Sequence, residues 1–243
     1  MDFLSTPFDR IAVDFLEELG VEFYKIASFE LVDIPLIEYV ASKRKPVIMS
    51  CGMGSEEEIR EAVEACKRQG NDNIVLLKCC SQYPAQYEDM NLLTIPKMKE
   101  DFQTYVGLSD HSMGSLAPIV AVGLGAKVIE KHVCLSREIE NPDAKFSMEM
   151  EEFAQMVRDV KNATLVMGKP TYELMEHEKR GLRTRRSLVA VKDIREGEIF
   201  SPENVRSIRP AIGLKPKYYQ QLIGKKAKKA YKFGEPISEI ELR

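Results

Sequence analysis

The sequence predicts an α/β fold: a parallel barrel followed by a small β-rich domain. Three observations carry that prediction. Short apolar runs recur every roughly 20–30 residues, with helical patterns between several of them. The polar residues of these runs gather at their C-terminal ends. After Ser187 the period changes to short alternating segments broken by glycine and proline. Strands alternating with helices mean parallel strands joined by crossovers. A TIM-type (β/α)8 barrel and an open doubly wound sheet both fit that rhythm. In a barrel every strand end converges on one mouth, whereas an open sheet gathers only the strands beside its switch point. Six polar-tipped runs favour the barrel.

The elements follow in order. DFLSTPF (2–8), FYKIAS (23–28), PVIMSC (46–51), NIVLLKC (73–79), YVGLSD (105–110) and KVIEKH (127–132) are mostly too short for helices and rich in Val, Ile and Phe, so they read as buried strands. FDRIAVDFLEEL has helical spacing and stops at Gly20. SEEEIREAVEACKRQG opens with Ser55 and Glu58 at capping-box spacing and closes at Gly70. SLAPIVAVGLG is a more apolar helix ending near Gly125, and MEMEEFAQMVRDVKNATLVMG is a long one ending at Gly168. Six strands against the eight of a closed barrel, with the first at residue 2, predict a (β/α)8 barrel lacking its first two βα units. Such a chain has two raw edges and an open core, a poor design for a stable monomer. The predicted boundaries are a partial barrel over 1–168, a charged linker over 169–186 and a small β-rich domain over 187–243. Within the last, IREGEIFS (194–201) and YKFGEPIS (231–238) form an imperfect repeat around a Gly-Glu turn.

Composition narrows the class. The 243 residues carry a net charge of −3, which gives no reason to expect nucleic acid. No apolar run approaches membrane-spanning length and the first residues are no signal peptide, so the expectation is a cytoplasmic protein without a membrane partner. The five cysteines, Cys51, Cys66, Cys79, Cys80 and Cys134, lack CxxC spacing and suit reduced thiols.

Two of the three histidines, His111 and His132, close strand-like runs. At one barrel mouth, two imidazoles with water or substrate oxygens make a site for a divalent ion such as Mn²⁺, Mg²⁺, Fe²⁺, Co²⁺ or Zn²⁺. Two unrelated histidines are the plainer explanation, and the matched strand-end placement weighs against it. Asp110 and Glu130 are placed to orient the imidazoles or to cap helices. His177 sits among charges and reads as a surface residue. Lys25 and Ser28 at one strand end, with Ser50, Ser81 and Ser109 at others, suit an anion such as phosphate or carboxylate. Read separately, that lysine is a snorkelling side chain and those serines are helix caps. Arg209, taken alone, is a surface arginine.

The segments LSTPFD, YKIASFE, GLSDHS, IEKH, NPDAKFS and SIRPAIGLKPK together resemble the sialic acid synthase family, in order and over essentially the whole chain. Phe29 before Glu30, the YPA at 83–85 and the RSIRP…GLKPK run resemble its pseudaminic acid branch. The resemblance implies condensation of phosphoenolpyruvate with an open-chain acylated amino sugar, with release of phosphate. The expected sugar is 2,4-diacetamido-2,4,6-trideoxy-altropyranose; N-acetylneuraminate or legionaminate synthesis are the neighbouring possibilities. It implies a metal (Mn²⁺, Mg²⁺ or Co²⁺) on His111 and His132. It places phosphoenolpyruvate on Lys25, Ser28, Ser50, Ser81 and Ser109, although the sialic branch tends to have asparagine where Ser81 stands. It implies that Glu30, Tyr83 and Asp143 line the sugar site, with Glu30 also catalytic. The C-terminal part resembles the antifreeze-like SAF domain, from which Arg209 is implied to reach the partner's sugar site in a domain-swapped homodimer. Cys51, Asn141 and Ala211 depart from the family's usual threonine, glycine and glycine. Family members carry roughly 100 more N-terminal residues, supplying further contacts, so the chain as given is expected to be poorly active. A different phosphoenolpyruvate-condensing synthase, an aldolase, or an inactive sugar- or anion-binding fragment are the alternatives.

Overall fold

The computed structural model describes residues 2–242, which form two compact units divided between Lys169 and Pro170. In the first, α1 (Arg10–Glu18) leads to β1 (Tyr24–Ile26), α2 (Ile34–Ser42), β2 (Val47–Ser50), α3 (Glu56–Arg68), β3 (Ile74–Cys79), α4 (Thr94–Phe102), β4 (Tyr105–Asp110), α5 (Leu116–Gly123) and β5 (Val128–Lys131). The short strands β6 (Val133–Cys134) and β7 (Met148–Glu149) precede α6 (Met150–Met167). The five main strands are all parallel and lie in the sheet in chain order. An open doubly wound sheet reverses its order at a switch point; this one does not, so the winding is that of a barrel.

The sheet has five strands rather than six. Residues 2–8 run without a ladder partner, with Pro7 lacking a donor and Phe3 and Phe8 exposed. Apolar composition alone does not make a strand; its backbone groups need a neighbour to bond. The long last helix also starts later than its pattern suggests. Met148 and Glu149 pair with β6, and the helix begins at Met150 behind a capping box of Glu149 and Glu152. Two helices that the apolar pattern did not single out, α2 and α4, fill the remaining crossovers.

Local chemistry sets the other ends. In α3, Glu58 N donates to Ser55 Oγ (3.2 Å) and Ser55 N to Glu58 Oε2 (2.7 Å), an exchange worth about 1 kcal/mol. Ile26, Met49, Leu76 and Leu108 are wholly buried in the core of this unit. At Gly107 a Cβ would sit 2.3 Å from the Val128 carbonyl oxygen, so only glycine lets β4 and β5 approach this closely.

The second unit holds α7 (Glu176–Gly181), β8 (Ser187–Ala190), β9 (Val205–Ile208) and α8 (Tyr219–Leu222), with β8 and β9 antiparallel. Its Gly-Glu repeat is real in three dimensions. Gly197 and Gly234 both adopt positive φ, near 81° and 83°. Arg195 N donates to Glu198 Oε2 at 2.9 Å, and Lys232 N to Glu235 Oε2 at 3.0 Å. Ile194 and Tyr231 then bridge the two copies. Leu188, Phe200, Val205, Leu222 and Ile237 form a separate core. Among the described residues no helix is long and apolar enough to cross a membrane.

Candidate active site

The C-terminal ends of β1 to β5 open onto one cavity of about 270 Å³. Parallel strands in sequential order present their last residues on the same rim, and that places Lys25, Ser28, Ser50, Ser109, His111 and His132 together in its wall. Tyr83, from the loop after β3, joins them. Thr6, Cys79 and Glu130 also line the cavity, and the motifs alone did not mark them as lining it. Their signal is positional, since Cys79 and Glu130 occupy the same strand ends as the residues that were marked.

One part of the cavity wall gathers a buried lysine and serine hydroxyls. Lys25 is 6% exposed, and its Nζ donates to the Ile26 carbonyl at 3.0 Å. Its nearest carboxylate oxygen, Glu130 Oε2, is 3.6 Å away. The other Glu130 oxygen accepts from Ser109 Oγ at 2.6 Å. Ser50 is 2% exposed and its Oγ has no hydrogen-bond partner within the protein. A buried hydroxyl costs about 1–3 kcal/mol when left unbonded, so its position facing a cavity points to a ligand oxygen. Ser28 Oγ accepts from Gly52 N at 3.0 Å. A Cβ at Gly52 would lie 2.2 Å from Ser81 Oγ and 2.8 Å from Ser28 Oγ, so glycine lets both serines close on this loop. Ser81 stays behind the wall, 3.8 Å from Cys79 Sγ.

Another part holds the imidazoles. The rings of His111 and His132 are 5.2 Å apart, and Tyr83 lies 4.3 Å from His111. His111 Nδ1 is 2.9 Å from the Cys80 carbonyl, which fixes its proton there and leaves Nε2 as the free lone pair. Burial pushes the His111 pKa down, but the contacts to Cys79 and to the Cys80 carbonyl outweigh it and hold the value above the ordinary one. Burial, with His111 beside it, pulls the His132 pKa below the ordinary value, so this ring is neutral at pH 7. His132 Nδ1 is 3.5 Å from Asp143 Oδ2. Two imidazole nitrogens of this kind fit a borderline divalent cation whose remaining shell comes from water and substrate oxygens. Among the described residues no group of three or more His, Cys, Asp or Glu side chains is placed to hold an ion unaided.

Asp110 does not orient an imidazole. It is buried against Lys131, with Nζ 2.5 Å from Oδ2 and both side chains at most 1% exposed, and its other oxygen accepts from Ser112 N. Glu30 lies outside the cavity wall, beyond the turn after β1, and its Oε2 is buried without a partner. Asp143 lines an adjoining cavity of about 310 Å³ that shares His132. Arg209 follows β9 in the second unit and is exposed.

Comparison with known proteins agrees with this geometry. The chain matches the NeuB family over residues 1–172 and the SAF domain over residues 185–243. It is 46% identical to pseudaminic acid synthase of Campylobacter jejuni over 239 residues, covering 98% of this chain and 70% of that one. It is 40% identical to N,N'-diacetyllegionaminic acid synthase of the same species, covering 98% and 72%. Among solved structures, spore coat polysaccharide biosynthesis protein SpsE of Bacillus subtilis superposes with a TM-score of 0.67 at 30% identity, covering 98% of this chain and 72% of that one. With its barrel-type parallel sheet and a SAF domain later in the sequence, the chain belongs to the NeuB family.

Proposed function

We propose that this chain is a nonulosonic acid synthase of the pseudaminic type, condensing phosphoenolpyruvate with 2,4-diacetamido-2,4,6-trideoxy-altropyranose and releasing phosphate. The observation that supports it best is the sharing of one 270 Å³ cavity by an anion end (Lys25, Ser50, Ser109) and an imidazole end (His111, His132). A held enol phosphate and a held sugar carbonyl then meet without transfer between sites.

The chain's residues divide the work. Lys25 supplies positive charge for the carboxylate or phosphate, and the unbonded Ser50 hydroxyl a neutral donor. Ser109 Oγ and the Glu130 carboxylate hold each other, and Glu130 in turn faces Lys25, so the lysine is aimed rather than left to sample rotamers. His111 and His132 would hold a divalent ion, with the Cys80 carbonyl fixing the first ring. A Mn²⁺, Mg²⁺ or Co²⁺ ion bound there supplies Lewis acidity to the sugar aldehyde. Tyr83, tilted against His111 with the ring centres 4.3 Å apart, lines the cavity beside the reacting carbons, where a water adds to C2 before the C–O bond to phosphate breaks. Glu30, Asp143 and Arg209 complete the sugar side in the assembled enzyme, Arg209 arriving from the second unit of a partner copy in a homodimer.

The test is phosphate release by the full chain with phosphoenolpyruvate, Mn²⁺ and this sugar, read beside N-acetylmannosamine and the legionaminic precursor, with the product identified by mass. Fastest turnover of the first sugar supports the reading. Preference for either other sugar replaces the pseudaminic assignment, and no phosphate release with any of them overturns the proposal.

A further inference from the structure

The loop between β6 and β7 leaves directly after His132 and returns beside it, Met148 N donating to the His132 carbonyl at 2.9 Å. Two of its residues touch the imidazole. Asp143 Oδ2 is 3.5 Å from Nδ1, and the Phe146 ring lies 5.0 Å away at a steep angle. The Asp143 side chain is 57% exposed, so nothing in its own burial keeps it there.

Ala144 and Phe146 are buried on the returning limb, and one arginine ties both limbs to α6. Arg137, on the outgoing limb, makes a two-pronged contact to Glu152 in the first turn of α6, Nη1 to Oε2 at 2.6 Å and Nη2 to Oε1 at 2.7 Å. The same Nη1 reaches the Ser147 carbonyl on the returning limb at 3.1 Å, and Arg137 N donates to Glu149 Oε1 at 2.9 Å. Ser147 Oγ in turn donates to the Asp143 carbonyl at 2.8 Å. The clamp therefore joins both limbs of the loop to the rigid end of α6. A planar fork on a carboxylate resists rotation in a way that a single contact does not. The guanidinium beside it, with the Glu149 amide, holds the Glu152 carboxyl down at about 2, so the pair stays charged through the neutral range.

We propose that Arg137, clamped to Glu152, is a positioning residue for the synthase reaction: it holds the 135–147 loop closed on His132 and so fixes Asp143 and Phe146 against that imidazole. The inference rests on the proposed synthase reading for its kinetic consequence but not for its structural one.

The test uses the full chain with Arg137→Ala, Arg137→Lys and the exchange Arg137→Glu/Glu152→Arg. Three readouts are followed: amide exchange of 135–147, the His132 ring resonances with His177 as internal control, and kcat and KM for phosphate release. In Arg137→Ala, exchange of 135–147 rises at least about tenfold and the His132 resonances shift while those of His177 do not. The kcat/KM falls about 10–100-fold. Arg137→Lys recovers part of each, and the charge exchange more. Unchanged exchange in 135–147 or unmoved His132 resonances overturns the proposal, whatever the activity. Faster exchange and shifted resonances with unaltered kcat and KM also overturn it, by showing the clamp to be structural only. An unmutated chain that releases no phosphate defeats the synthase reading, and the exchange and resonance readouts then decide the clamp alone.

Discussion

The two units differ in how completely they bond their buried polar groups. In the second, each one is bonded internally: Ser187 Oγ donates to the Pro210 carbonyl at 2.6 Å, and Asn204 Nδ2 to that of Ile199 at 3.0 Å. Glu241, 2% exposed, accepts from the Tyr231 hydroxyl at 2.8 Å and from Lys228 N at 3.0 Å. In the first unit, Glu30, Ser50, Thr104 and Ser112 each keep a buried side-chain oxygen without a partner, and among the described residues only this unit does so. A bonded buried polar group serves the fold. An unbonded one beside a cavity is stability set aside for a ligand. Charge follows another division, 18 Lys and Arg against 28 Asp and Glu up to Lys169, and 17 against 10 from Pro170 on. Lys25 and the unbonded Ser50 thus lie in the acidic unit, so local placement, not the regional balance, sets the chemistry of the cavity wall.

Substitutions at the two kinds of site sharpen that contrast. The largest effect is expected at the imidazoles: His111→Ala should lower phosphate release by orders of magnitude and weaken Mn²⁺ binding in a titration, with the circular dichroism of the chain unchanged. Retained turnover and metal dependence would remove His111 from the metal site. Next comes the one pair that is fully buried and fully matched in the first unit. Lys131→Met strands Asp110 without its cation and should cost about 3–5 kcal/mol by urea unfolding, with β4 and β5 amides exchanging fastest. Glu241→Ala, which unbonds the Tyr231 hydroxyl and Lys228 N, should cost about 1–3 kcal/mol in the second unit. Ser50→Ala should do the reverse of Glu241→Ala. Stability rises by about 1–3 kcal/mol as the unbonded hydroxyl is removed, and KM for phosphoenolpyruvate rises about tenfold or more through the lost bond to a charged ligand. A destabilised chain with normal KM would place Ser50 with the structural polar groups.

The smallest effect is in pH. The Glu152 carboxyl is held down at about 2 by Arg137. A depressed carboxylate contributes above its unfolded value of about 4.3 and loses that contribution as pH falls through the folded one. The 135–147 loop should therefore keep its exchange protection at pH 5 and lose it progressively towards pH 2. With the Glu152 side chain 45% exposed, solvent keeps the change small.

Features legible in the sequence were those whose cause is local or periodic. Ser55 and Glu58 cap their helix with groups three residues apart, and the Gly-Glu turns repeat the same hydrogen bond. His111 and His132 were legible because strand ends converge in any parallel barrel. Residues 2–8 have the composition of a strand without forming one, because a strand exists only beside a neighbour. The setting of Glu30 was hidden in a turn, and the role of Asp110 in a lysine one strand away.

By itself, then, the sequence determined the parallel winding, most strand and helix positions, and which strand tips line the cavity, because side-chain period and capping act over a few residues. The tertiary structure alone decided that Ser50 has no partner, that Lys131 claims Asp110, and that Arg137 closes the loop over His132. Those outcomes are competitions for hydrogen bonds between segments far apart in the chain, settled only once the elements have packed together.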